Sequence, residues 1–145
     1  QPVKILDICL QLEQQYGHKT QADVKLILDG GDANTFVSAD WNRTIQIVSN
    51  LLSNAVKFTS RGEIHFGFLN KENFVEFYVR DTGIPAERAA TIFQRFGKVD
   101  DFVQGTGLGL TLCKMLVEKM GGLIRVCSKE DEGTTFYFTL PLANR

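Results

Sequence analysis

Two pairs of alternating runs constrain this chain more than any other feature. "GEIHFGFLN" (62–70) and "FVEFYVRD" (74–81) are separated only by "KEN", and "LIRVCS" (123–128) and "TTFYFTLP" (134–141) face each other across "KEDEG". Apolar side chains recur at every second position, the period of a half-buried strand, and the short polar connections make each pair a hairpin. A sheet with one apolar face must be covered. Helical stripes are available for this over 3–16, over 41–59 behind Asp40 as N-cap, and over 108–120, with a shorter helix over 86–96. "VKLILD" (24–29) and "TFVS" (35–38) read as further strands around the turn "GGDAN" (30–34), while 81–85 and 97–107 read as loops. Strands and helices mix without regular βαβ alternation. The expectation is one α/β domain over 1–145: a two-layer sandwich, with about three main helices on one face of a mixed, mostly antiparallel sheet of about five strands.

Composition narrows the function classes. The chain is 145 residues long, 43% hydrophobic, and carries a net charge of −1, so no charge excess points to nucleic acid or an anionic membrane. Its three cysteines, Cys9, Cys113 and Cys127, have neither CxxC spacing nor an even count, which fits reduced thiols in a cytosolic protein. No apolar run is long enough to span a bilayer, and no signal peptide is visible.

Three stretches carry chemistry. In "QGTGLGLTLCKMLVEKMGG" (104–122), Gly105, Gly107 and Gly109 run directly into a helix. Each glycine inside regular structure costs roughly 0.5–1 kcal/mol of backbone entropy. Backbone N–H groups at a helix start point one way and carry partial positive charge, so a phosphate fits there. An ordinary flexible turn and cap accounts for the same residues, and GxGxG is neither a Walker A nor a Rossmann pattern. In "IVSNLLSNAVKFT", the apolar arc 47, 48, 51, 52, 55 and 56 leaves Asn50, Asn54 and Lys57 together on another face. Asparagine is a poor helix former, and its amide oxygen suits a Mg²⁺ that already carries phosphates. A solvated polar stripe is the plainer account. In "VRDTG", Asp81 closes an apolar strand, where its carboxylate can accept from an exocyclic amine such as that of adenine, or can simply end the strand in a turn.

Taken in order, "NLLSNAVKFT", "DTGIP", "IFQRF" and "GTGLGL" resemble the N, G1, F and G2 boxes of sensor histidine kinases, whose catalytic domains share the Bergerat ATP-binding fold of the GHKL superfamily with type II topoisomerases, Hsp90 and MutL. The resemblance runs from the first helix to "GTTFYFTLP". It implies ATP and Mg²⁺ as cofactors, with Asn54 as metal ligand, Asn50 one turn earlier beside it, and Lys57 and Lys98 facing phosphate. It implies Asp81 reading the adenine amine in a loop that includes Gly83, and Thr134 under the adenine. Gly105, Thr106, Gly107, Leu108 and Gly109 would form the lid end that meets the phosphates, with Phe93 and Phe96 at the lid base. The implied role is the catalytic domain of a two-component protein-histidine kinase. It would donate the ATP γ-phosphate to a histidine on a separate dimerisation domain of the same protein, from which phosphate passes to a response regulator receiver domain. No nucleic acid and no membrane insertion by this chain are implied, and the domain is expected to be cytoplasmic.

Departures from the family pattern refine this. The G1 box normally reads D-x-G-x-G-I-P; Asp81-Thr82-Gly83-Ile84-Pro85 is two residues shorter and has one glycine. A loop truly this tight would pull Pro85 and the helix expected after it toward the adenine, so a nucleotide-binding-impaired interaction module is the alternative reading. A serine-kinase or anti-sigma type domain of the same fold is another, distinguished by the residue that accepts phosphate. The gyrase, Hsp90 and MutL type needs a catalytic glutamate where Asn50 stands. The family's acceptor histidine lies in an H-E/D-x-x-N/T hairpin, expected upstream. Neither His18 in "YGHKT" nor His65 in "GEIHFGF" has an acidic residue on its C-terminal side, so the isolated chain is not expected to phosphorylate itself.

Overall fold

A computed structural model describes residues 2–59, 61–82, 108–129 and 133–143. In chain order the elements are β1 (Pro2–Lys4), α1 (Ile5–Tyr16), β2 (Val24–Gly30), β3 (Phe36–Ser38), α2 (Trp41–Phe58), β4 (Gly62–Asn70), β5 (Phe74–Asp81), α3 (Leu108–Lys119), β6 (Ile124–Lys129) and β7 (Gly133–Pro141). The expected helix over 86–96 and loop over 97–107 lie outside the described residues.

Both expected hairpins form, β4 with β5 and β6 with β7, and β5 joins them antiparallel to β7. The five-stranded order is β2-β4-β5-β7-β6, mixed because β2 runs parallel to β4. The pleat sorts side chains as the alternation requires. Ile64, Phe66 and Phe68 of β4, Val75, Phe77 and Val79 of β5, and Phe136, Phe138 and Leu140 of β7 are all buried. At the centre the Phe77 ring stacks on Phe138 and Phe68 with centroids 5.1 and 6.5 Å away. Three helices cover this face among the described residues. α1 packs on β2 and α2, α2 on β5 and α3, and α3 on β6 and β7. Their buried residues follow the helical period: Ile5, Ile8, Cys9, Leu12 and Tyr16 on α1, and Cys113, Leu116 and Val117 on α3. Among the described residues no helix is long and apolar enough to cross a membrane.

Helix ends are set by local chemistry. Asp40 Oδ1 accepts from Arg43 N at 2.9 Å and caps α2 as expected. α3 stops where Gly121 turns to φ +83°, with Gly121 N–H donating to Glu118 O and Gly122 N–H to Val117 O at 2.9 Å, a Schellman closure.

Two short segments differ from expectation. The first helix starts at Ile5 rather than residue 3, because Pro2–Lys4 is extended and pairs antiparallel with Phe36–Ser38. The strand expected over 35–38 therefore lies in a separate two-stranded ribbon, not in the main sheet. An apolar residue at position 3 fits either a helical stripe or a strand. Burial of Val3 beside Val37 decides for the strand.

The opposite face of the sheet is polar. His65 Nδ1 donates to Asp29 Oδ1 at 2.8 Å and its Nε2 to Glu63 Oε1 at 2.9 Å, while Tyr78 Oη donates to Asp29 Oδ2 at 2.6 Å. The network stitches the parallel strand β2 across β4 to β5. Two carboxylates facing both ring nitrogens require both to be donors, hence the imidazolium. Burial opposes that charge, but the bonds to Asp29 and Glu63 outweigh it and raise the His65 pKa above its ordinary 6.5. Burial likewise opposes the Asp29 charge, but the Tyr78 and His65 bonds hold that carboxyl below its ordinary 3.8.

Two outcomes follow. Phe77→Ala should cost about 3–5 kcal/mol in denaturant unfolding, whereas Leu69→Ala, at a position 51% exposed, should stay within about 0.5 kcal/mol. Because the His65 pKa is raised on folding, its stabilisation is fully present below pH 6.5 and is lost as pH rises through the folded value. The Asp29 contribution is present above pH 3.8 and is lost on acidification through its lower folded value. The melting-temperature advantage of the natural chain over His65→Gln should thus be largest near pH 5–6 and shrink in alkaline buffer, whereas a difference independent of pH would contradict the charged bridge.

Candidate nucleotide site

Continuing the inward alternation of β5 past Val75, Phe77 and Val79 puts Asp81 on the core face at the strand's end. Asp81 is 3% exposed and is the only charged residue buried among the described residues. In the sheet register its neighbours are Ile64 on β4 and Thr134 on β7, the latter also buried. Directly opposed residues share a face, so Asp81 and Thr134, far apart in sequence, stand side by side.

Two features fix this corner. Gly133 has φ +81°, and a Cβ built there would sit 1.7 Å from the Asp81 carbonyl oxygen, so β7 begins against the Asp81 backbone only because residue 133 has no side chain. Thr82 then holds the chain as it leaves the sheet. Its N–H donates to Glu63 O at 2.9 Å, and its hydroxyl donates to Glu63 O at 3.1 Å and accepts from Glu63 N at 3.2 Å. Sequence reasoning named neither Gly133 nor Thr82 as a site residue. A glycine directly before Thr134 was the available signal for the first.

The second group lies on α2. Ile47, Val48, Leu51 and Leu52 are fully buried, which leaves Asn50 and Asn54 half-buried and Lys57 exposed at i, i+4 and i+7. The polar stripe therefore flanks the packed face instead of lying opposite it. The same stretch of α2 is tied to α3: Cys113 Sγ donates to Ile47 O at 3.6 Å. Nothing in the sequence signalled that link. One turn before Cys113, on the same face of α3, comes Gly109, and Leu108 opens the helix. Gly83, Lys98, Gly105, Thr106 and Gly107, with Phe93 and Phe96, lie outside the described residues.

Open clefts of about 800 and 550 Å³ lie around Pro2 and Phe36, and none of the candidate residues lines either. Cleft volume does not single out the Asp81 corner. Its chemistry does, through a carboxylate and a hydroxyl on an otherwise apolar face, beside a helix carrying two amides and an ammonium.

Known proteins resemble the chain in sequence and in fold. The profile of the family described as histidine kinase-, DNA gyrase B-, and HSP90-like ATPases matches residues 39–144. Sensor protein SrrB of Staphylococcus aureus is 42% identical over 111 residues, which cover 72% of this chain and 19% of that protein. Cyanobacterial phytochrome A of Nostoc sp. is 40% identical over 116 residues, covering 75% of this chain and 15% of that one. The chain thus spans less than a fifth of the length of these curated relatives. Among solved structures, full-length ShkA in complex with AMPPNP superposes with a TM-score of 0.78 at 29% identity, over 100% of this chain and 31% of that chain. The nucleotide-free catalytic domain of the histidine kinase ThkA gives 0.75 at 25% identity, over 97% of this chain and 94% of that one. The mycobacterial sensor histidine kinase MprB gives 0.71 at 26%, over 100% and 99%. The chain belongs to the histidine kinase-, DNA gyrase B-, and HSP90-like ATPase family, and within it to the catalytic ATP-binding domains of histidine kinases.

Proposed function

We propose that this chain binds ATP with Mg²⁺ and donates the γ-phosphate to a histidine on a separate dimerisation domain of a longer, two-component sensor protein. The observation that carries the reading is the buried Asp81–Thr134 pair at the end of an apolar sheet face. A buried carboxylate is stabilised by a hydrogen-bond donor, and the adenine amine is a donor of the right kind. A flat base also suits the apolar surface around the pair. The ShkA complex with AMPPNP supports the assignment by likeness.

The residues fit the group. Asn54 Oδ1 is a neutral hard ligand for Mg²⁺, with Asn50 one turn away. Lys57 and Lys98 supply positive charge toward phosphate. The backbone N–H groups of Gly105, Thr106, Gly107, Leu108 and Gly109, the residues that lead in sequence into α3, would supply donors where the helix dipole favours an anion. Gly83, two residues after Asp81, is the proposed neighbour of the base in the loop that follows. When bound, the magnesium nucleotide supplies the phosphoryl group and charge neutralisation. The chain's own part is positioning, which carries most of phosphoryl-transfer catalysis. It contributes no acceptor: both ring nitrogens of His65 are engaged by carboxylates, and His18 lies in the exposed turn after α1. The dimerisation domain and, through it, a receiver domain are the proposed partners, in the cytoplasm.

Asn54→Ala should lower Mg-dependent affinity for an ATP analogue by at least about 10–100-fold, the scale on which even outer-sphere groups affect metal sites, with little change in melting temperature. Unchanged affinity by calorimetry would remove Asn54 from the site. Gly133→Ala should lower both stability and affinity, because the new methyl displaces the Asp81 backbone. With labelled ATP the chain alone should take up no label, and adding a histidine hairpin of a related kinase should yield acid-labile label on the hairpin. Stable label on serine would favour the serine-kinase reading, and absence of nucleotide binding by the natural chain would favour an interaction module.

A further inference from the structure

Ile64 and Asp81 are the last paired residues at this end of β4 and β5, and Glu63 and Thr82 face each other next. In an antiparallel ladder such a hydrogen-bonded pair exchanges two main-chain bonds, each N–H going to the facing carbonyl. Thr82 N–H gives the first of these, to Glu63 O at 2.9 Å. The return bond runs to a side chain: Glu63 N–H donates to the Thr82 hydroxyl at 3.2 Å, and the hydroxyl donates on to Glu63 O at 3.1 Å. The hydroxyl thus stands in for the carbonyl of residue 82, and the chain can leave the sheet directly after Asp81 without orphaning the Glu63 N–H. Glu63 is a firm anchor. It lies on β4, between β2 and β5, and its carboxylate accepts from His65 Nε2 at 2.9 Å. From the β7 side Gly133 closes on the same two residues, since a Cβ there would sit 1.7 Å from Asp81 O and 3.1 Å from Thr82 Cα. The backbone of Asp81 and Thr82 is therefore held by hydrogen bonds on one side and by close packing on the other.

We propose that Thr82 is a positioning residue that sharpens adenine recognition: its hydroxyl completes the end of the ladder and so fixes the backbone from which the Asp81 carboxylate is presented to the base. This rests on the reading of Asp81 as the acceptor of the adenine amine. Thr82 is exposed whereas Asp81 is buried, so Thr82 acts on the base through Asp81. A hydrogen bond weakens steeply as its geometry departs from linear, whereas contact between a flat base and an apolar surface is non-directional. Loosening residues 81 and 82 therefore costs the amine bond and spares the remaining contacts.

The test compares ATP with purine riboside triphosphate, which lacks only the exocyclic amine, by calorimetry in Mg²⁺. The natural chain should prefer ATP. Thr82→Val keeps the shape of the side chain and removes the hydroxyl. It should weaken ATP binding about five-fold, the worth of one hydrogen bond, and leave the purine analogue unchanged. Thr82→Ser, which keeps the hydroxyl, should restore most of the ATP affinity. Where Thr82→Val melts too early to assay, Thr82→Ala against Thr82→Ser gives the same comparison. Equal losses for the two nucleotides, or no loss for either, would overturn the proposal and leave the Asp81 reading intact. Equal affinity of the natural chain for both nucleotides would overturn the Asp81 reading and the proposal with it. A ligand-free check is hydrogen exchange at the Glu63 amide, which should lose protection in Thr82→Val and keep it in Thr82→Ser. Unchanged protection in Thr82→Val would show that the hydroxyl does not hold the ladder's end and would overturn the proposal.

Discussion

The structure turns on a carboxylate that the pleat places on the buried face. Alternation along β5 is strict, so once Val75, Phe77 and Val79 face the helices, Asp81 must as well. A one-residue slip would put Asp81 in water, but would also expose the phenylalanine stack. The hydrophobic register that stabilises the sheet thereby holds an acid where no acid is stable without a donor. Stability and site are set by the same pairing, and Thr134 arrives beside Asp81 through the matching register of β7.

Helix α2 couples the two requirements differently. Its fully buried arc packs against β5 and α3. The amides occupy the flank of that arc, half-buried, where rotamers are restrained by packing but side chains remain within reach of a ligand. Tyr16 of α1 hydrogen-bonds Ser49 of α2, and Cys113 of α3 donates to the Ile47 carbonyl, so neighbouring helices hold one short segment of α2 from two sides. A site built on restrained elements keeps its geometry better than one carried by loops alone.

Much of this was legible in the chain's letters. The hairpins and the long helices announce themselves through period and short connections, and Asp40 reads as a cap because it directly precedes an apolar stripe. The polar stripe on α2 and the Asp81 position are visible as chemistry, and their order carries the family likeness. What was not legible is long-range. A three-residue strand such as Pro2–Lys4 has too few positions to show a period, and its partner lies beyond α1 and β2. Parallel pairing of β2 with β4 leaves no trace in a connection that contains a whole helix. The demand on Gly133 arises from a backbone that approaches it from another strand, and Cys113 reads as one more core residue until its distance to Ile47 is known.

The sheet topology has a consequence for how such domains diversify. β5 and β7 are hydrogen-bonded neighbours, yet the chain between Asp81 and Gly133 makes a long excursion through α3 and β6 before returning. The entropic penalty of closing an excursion grows only with the logarithm of its length, about 0.6 kcal/mol for each doubling. Gaining or losing a few residues just after Asp81 is therefore nearly invisible to folding, because the strands at either end are anchored by their own ladders and by the Thr82–Glu63 clamp. A shortened "DTGIP" belongs to this class of change. Natural variation in that segment can retune how a nucleotide is gripped while the scaffold stays the same, so selection on ligand handling is largely decoupled from selection on folding.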